Sequence, residues 1–264
     1  SGIMPSDAPI TQLFVNNNRM LLARYPNVSD PVPDPDEGWL EVGSSSDKAS
    51  FADPVLGDYG RPAGYWVGAN LRIRSFSWLF ETRTVTGSTS AGTIVMNEQL
   101  TETLADHIQP GWGYYLDNVL GELDQENEWY YDDAARKVYL YAPGGVDPNS
   151  LIVEGSVYDL GCYLVWHYHG TIIEGLTFRH QNEYGVLINQ SDGVVVRNCR
   201  FENIGHTGVN MAWNSVDVVI EDNVFTDILE FGVKFVSSIA AGDGIIENNR
   251  IINTAVFAGY GGFG

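Results

Sequence analysis

"GVVVRNCRFENIGHTGV", residues 193–209, decides the fold. It carries a valine run, an asparagine, a cysteine, a phenylalanine and a closing Gly-Val. Nearly the same order stands upstream in "GTIIEGLTFRHQNEYGV", 170–186, and downstream in "DVVIEDNVFTDILEFGV", 217–233, and "DGIIENNRIINTAVFAGY", 243–260. Aligned on Phe178, Phe201, Phe225 and Ile251, the copies are spaced by 23, 24 and 26 residues. Each closes on a glycine: Gly185, Gly208, Gly232 or Gly259. Short β runs repeated at this period are the signature of a solenoid. Leucine-rich repeats share the period, but their leucine consensus is missing. The pattern predicts a right-handed parallel β-helix, each strand stacked on its equivalent one coil away at about 4.8 Å.

Stacking turns alignment columns into contacts. Phe178, Phe201 and Phe225 form one apolar column, and Val195, Val219 and Ile245 another. Asn223 and Asn249 share a corner column, where stacked amides bond along the solenoid. Glu174, Arg197, Glu221 and Glu247 read as an outer, salt-bridged ladder. Cys199 falls in the column of Leu176, Asn223 and Asn249. Cys162 lies outside it, so two buried thiols are expected rather than a disulfide.

The chain has 264 residues, 44% of them hydrophobic, enough for one or two packed domains. Its 29 glycines and 12% aromatic content suit an all-β protein rich in turns. No apolar run approaches a membrane span. The net charge of −20 argues against nucleic acid, whose phosphates need clustered Lys and Arg. It argues less strongly against polyanionic glycans, and suits neutral glycans in an extracellular or periplasmic setting.

Residues 1–153 show no such repeat and read as an antiparallel β-barrel or sandwich lobe; residues 154–264 are the parallel β-helix coils. "QLFVNNNRMLLARY", 12–25, reads as a hairpin about Asn16–Asn18, and "ANLRIRSFSWLFETRTVTG", 69–87, as one or two long strands. "EWYYDDAARKVYLYAPGG", 128–145, reads as a hairpin turning in Asp132–Arg136. Trp39, Trp66, Trp78, Trp112, Trp129 and Tyr130 are expected mostly in the lobe's core. With "QLFVNNNRMLLARYPN", "GELDQENEWYYDDAARKVYLYAPGG" and the Gly-x-x-Phe coils, the chain resembles bacterial carbohydrate-active β-helix proteins in which a β-barrel-like lobe flanks or interrupts the solenoid. These include glycoside hydrolases of the β-xylosidase and α-galactosidase kinds. The resemblance implies a polysaccharide or oligosaccharide partner. The chain departs from the pattern at both ends: no coil is legible before the lobe, and "FAGYGGFG" stops in mid-coil without a cap. An open coil exposes strand edges, which predicts self-association, a covering partner, or further domains of a longer parent.

Five residues past each anchor stand Glu183, His206 and Glu230. In register they stack on one face, with the two glutamates two coils apart, about 9–10 Å between backbones. Inverting glycosidases hold their carboxyls about 6.5–9.5 Å apart around a water. This makes Glu183 and Glu230 candidate acid and base, with His206 assisting; the competing reading is a solvated charge ladder. His180, Asn203 and Asp227 form a second column. Aromatic rings stack on the C–H faces of sugars, so Tyr184, Trp213 and Tyr260, with His180 and Asp227, are candidate carbohydrate-binding residues. Trp166, at the junction, is expected to pack the lobe against the solenoid. No cofactor is expected. The acidic "DPVPDPDEG" could bind Ca²⁺ through its oxygens, but it lacks a spaced Ca²⁺-loop pattern and reads first as a solvated loop. The five histidines are read as showing no HxH or HExxH spacing, so no zinc site is expected. "GYGGFG" lacks the Lys-Ser/Thr of a phosphate loop.

Three functions follow. The first is a glycoside hydrolase, or part of one, acting on a neutral or xylan-type polysaccharide. The second is a non-catalytic carbohydrate-binding module. The third is a polysaccharide lyase or epimerase, which needs a cation to neutralise a uronate and a base for its α-proton.

Overall fold

A computed structural model describes residues 2–3, 9–28, 37–236 and 244–255 of the chain. Helix among these is confined to Pro54–Asp58 and three short 3-10 turns. Among the described residues no helix is long and apolar enough to cross a membrane. Contacts divide the chain into two units. One holds residues Asn18–Val153; the other runs from Glu154 and also takes the segment that ends at Asn17.

The second unit is a solenoid of three parallel sheets, each contributing one strand per coil. The first sheet stacks Leu160–Val165, Tyr184–Asn189, Thr207–Ala212 and Phe231–Val236. The second stacks Ile172–Glu174, Val195–Arg197, Val219–Glu221 and Ile245–Glu247. The third stacks Thr177–Arg179, Arg200–Glu202, Val224–Ile228 and Arg250–Thr254. Phe178, Phe201, Phe225 and Ile251 face one another in register, as the spacing predicts. The three rings stack at 5.0 and 4.7 Å between centroids. Burying each such side chain is worth roughly 2–3 kcal/mol.

The closing glycines answer to this ring stack. A Cβ at Gly208 would lie 2.5 Å from Phe225 Cδ1 and 2.6 Å from the Gly232 carbonyl oxygen. At Gly185 the intruding atom is Phe201 Cδ1, again at 2.5 Å. The rings of the third sheet thus press on the bare backbone of the first, one coil earlier. Phenylalanine and glycine recur together because each ring needs the space that a missing side chain leaves.

The valine column is in register but is not the core. Val195 and Val219 are half-buried and Ile245 is exposed, whereas their neighbours Val196 and Ile220 are fully buried. The charge ladder forms, with Arg197 3.1 Å from Glu174 and 3.9 Å from Glu221. So does the asparagine ladder: Asn223 Nδ2 donates to Asn249 Oδ1 at 3.0 Å and to Val196 O at 2.9 Å. Cys199 is buried, Cys162 is half-buried, and both are free thiols.

Residues 9–17 belong with the coils, although no coil was legible there. Ser156 N–H donates to Gln12 O at 3.0 Å, and Asn203 Nδ2 to Asn17 O at 2.8 Å. Phe14 stacks on His180 at 3.8 Å between centroids. Asn16 and Asn17 take left-handed φ values of 50° and 67°, which suits a tight turn after the strand Leu13–Val15.

The first unit carries a seven-stranded antiparallel sheet. Its path runs through Arg24–Tyr25, Gly113–Asp117, Asn70–Phe76, Leu79–Ser88, Thr93–Met96 and Ser50–Ala52, and Leu40–Glu41 also joins Gly113–Asp117. Residues 69–87 therefore form two paired strands. Glu128–Asp132 and Lys137–Leu140 form the predicted hairpin. Trp66 and Trp129 are buried, but Trp78 is 60% exposed in the turn between the two long strands. Glu122 is buried under Arg61 at 2.9 Å and accepts hydrogen bonds from Tyr59 at 2.9 Å and Tyr65 at 2.6 Å. Every charge in that cluster has a partner, which marks it as a rigid structural device.

Candidate functional site

The corner between the third and first sheets aligns four residues by backbone hydrogen bonds. Glu183 N–H donates to Asp159 O at 3.0 Å, and Thr207 N–H to Glu183 O at 2.9 Å. Glu230 and Phe231 N–H both donate to His206 O, at 3.0 and 3.2 Å. Glu183, His206 and Glu230 are therefore one column, and Asp159 extends it by a coil. Asp159 was missed because its coil lacks a phenylalanine anchor. The 24-residue step back from Glu183 would have found it.

The column is chemically uneven. Glu183 is exposed, whereas the Glu230 side chain is 1% exposed. Glu230 Oε2 lies 2.6 Å from His206 Nδ1 and 3.6 Å from Lys234 Nζ. Beyond these ion-pair contacts, neither carboxylate oxygen accepts a hydrogen bond of good geometry among the described residues. A carboxylate this close to Nδ1 favours the tautomer with its proton on that nitrogen. Nδ1 also lies 2.8 Å from Thr207 Oγ1. The ring meets Tyr184 edge to face, with centroids 5.1 Å apart.

Tyr184 completes the cluster. Burial raises its phenol above the ordinary range, the charges of Glu183 and Glu230 add to this, and a hydrogen bond from Asn210 opposes it. The hydroxyl therefore stays protonated, ready to donate. Among the described residues Asn210 Oδ1 is buried without a hydrogen-bond partner, so this amide has an acceptor to spare. Asn210 and Lys234 are register partners on neighbouring strands of the first sheet. Neither was expected from the sequence, though Lys234 stands one pleat pair beyond Glu230 and could have been found by its spacing.

The other expected residues lie elsewhere. His180 stacks on Phe14 and bonds Asn17 Oδ1 at 2.9 Å, so it holds the segment 9–17 against the coils. Asp227 is an exposed corner residue that accepts from Asn253 at 3.1 Å. Trp213 stands 58% exposed at the corner after the first sheet. Trp166 does not pack as expected: it is 67% exposed at the same corner. Tyr260 and most of the acidic loop lie outside the described residues. His167 and His169 form an HxH pair, contrary to the reading that the histidines show no such spacing. His167 Nδ1 lies 3.4 Å from His169 Nε2, and His169 Nδ1 lies 3.3 Å from Asp192. Among the described residues no three His, Cys, Asp or Glu side chains converge as metal ligands.

Comparison with known proteins supports the same architecture. The family model for the right-handed β-helix region matches residues 149–263. No curated protein matches the sequence. A solved structure named as a glycoside hydrolase superposes with a TM-score of 0.69 at 16% identity. The match covers 89% of this chain and 49% of the other, so the chain spans about half the length of that protein. At this identity the likeness speaks for the fold.

Proposed function

We propose that the protein is a carbohydrate-active β-helix protein and that its chemistry is glycoside hydrolysis on a neutral, xylan-type chain. One observation carries the reading: a fully buried carboxylate, Glu230, is pinned to the Nδ1 side of the partly open His206. Burying a charge is costly unless it is paired. Here it stands against an imidazole that is itself partly exposed. The likeness to a glycoside hydrolase fold supports the same reading by analogy.

The roles divide by exposure. His206 Nε2 takes a proton from water as its oxygen attacks the anomeric carbon, and Glu230 steadies the ring as it gains charge. Glu183 delivers a proton to the leaving oxygen, so that water adds across the broken bond. Tyr184 and Asn210 offer hydrogen bonds to sugar hydroxyls. The expected pairing of two glutamates thus becomes a glutamate and a glutamate-held histidine.

Lys234 favours a second reading, elimination on a uronate, because its ammonium is the cation such a step needs. The test is turnover of xylan-type and uronate-containing oligosaccharides by the parent, Glu183→Gln and Glu230→Gln. Hydrolysis predicts saturated reducing ends from neutral chains and a loss of about 100-fold or more in each variant. Unsaturated products from anionic chains favour elimination, and binding without turnover favours a binding module. Equal turnover by parent and variants removes the column from the chemistry.

A further inference from the structure

Trp166, Gln190 and Trp213 form a second column, at the corner that follows the first sheet. Val165, Asn189 and Ala212 are register partners one residue earlier. Trp166 N–H donates to Asn189 O at 3.1 Å, and Gln190 N–H to Trp213 O at 3.0 Å. The two indole-bearing residues therefore stand two coils apart, about 10 Å along the solenoid axis. Tryptophan is highly buried on average, yet these two are 67% and 58% exposed.

Their backbones point the same way. Trp166, Gln190 and Trp213 have φ values of 57°, 52° and 32°, and His167 and Asn214 have 73° and 55°. Bulky side chains seldom enter the left-handed region, where strain of about 1–3 kcal/mol must be held by the surroundings. Residues kept for packing would not combine strain with exposure. Gln190 and Asn214 are exposed as well, so amide groups lie between and beside the rings.

We infer that this column is a docking strip for an extended neutral glycan lying along the solenoid axis. Each indole takes the C–H face of one sugar, and the Gln190 amide bonds the hydroxyls between them. Two coils match the length of a disaccharide unit in an extended chain, which is why alternate coils carry the rings. The net charge of −20 and the neighbouring Asp192 disfavour a polyanion. The inference rests on the carbohydrate reading above but uses none of its catalytic residues.

The experiment titrates the full chain with xylo-oligosaccharides of two to six sugars, read by tryptophan fluorescence and calorimetry. Affinity is expected to rise once the ligand spans both rings. Trp166→Ala and Trp213→Ala should each weaken hexasaccharide binding about tenfold. Trp78→Ala, an equally exposed lobe residue, should leave it unchanged. Unchanged affinity in both solenoid variants overturns the strip. So does a shift from dimer to monomer with sugar binding intact, which would make the column a self-association contact. Failure of every oligosaccharide to bind overturns it too. Turnover of an aryl glycoside too short to span the strip is measured in parallel. It tests the Glu183, His206 and Glu230 column alone, so the two readings can fail separately.

Discussion

Glu128 shows how a single residue can tie stability to pH. It is 2% exposed, and its carboxylate accepts from the backbone N–H groups of Arg24, Asp124 and Gln125 at 3.2–3.3 Å. Burial outweighs these bonds and pushes its pKa from the ordinary 4.5 to about 7. Below pH 4.5 the group is protonated whether the chain is folded or not. Between 4.5 and 7 the unfolded chain releases the proton while the folded chain keeps it, so stability falls as pH rises. Above 7 the loss is complete, at about 3 kcal/mol. Urea unfolding across this window should show the decline, and Glu128→Gln should flatten it. Parallel curves for parent and variant would refute this assignment. No sequence signal marked Glu128: the donors Asp124 and Gln125 are local, but the third, Arg24, comes from a strand far away in the chain. Glu183, His206 and Glu230 were legible because a fixed offset from a repeated anchor becomes a shared column. Their unequal burial was not, since offset gives position and burial depends on what packs above.

At the scale of elements, the corners hold the coils in register. Asn223 accepts from Cys199 N–H at 2.9 Å and donates to Val196 O, while its own N–H reaches Asn249 Oδ1 at 3.0 Å. Asn223→Ala would leave a buried N–H and a buried carbonyl unpaired, and should cost about 3 kcal/mol in urea unfolding. Asn249→Ala should cost less, because Asn249 is only half-buried. Equal, small losses in both would mean that the ladder does not secure the corner. The asparagine and phenylalanine columns were readable because a parallel solenoid converts sequence period directly into contact. The valine column was readable as a column but not for its depth, because a run of three valines offers both faces of a strand the same chemistry. Only the packed strand distinguishes Val196, which faces in, from Val195, which does not. The role of residues 9–17 was invisible for another reason. Their partners, such as Ser156 and Asn203, lie more than 140 residues away, and no local pattern records so distant a pairing.

For the whole molecule, two columns flank one sheet of the solenoid. Glu183, Tyr184, His206 and Glu230 mark one end of its strands, Asn210 and Lys234 stand mid-strand, and Trp166, Gln190 and Trp213 mark the other end. The chain's net charge of −20 disfavours phosphates as partners of these two columns. Backbone amide shift mapping of the full chain with xylohexaose tests the proposal that carbohydrate binds on this sheet. We predict perturbed amides at Tyr184, His206 and Asn210 and at Trp166, Gln190 and Trp213, with the antiparallel lobe unperturbed. Shifts confined to the lobe, or to the second and third sheets, would contradict it.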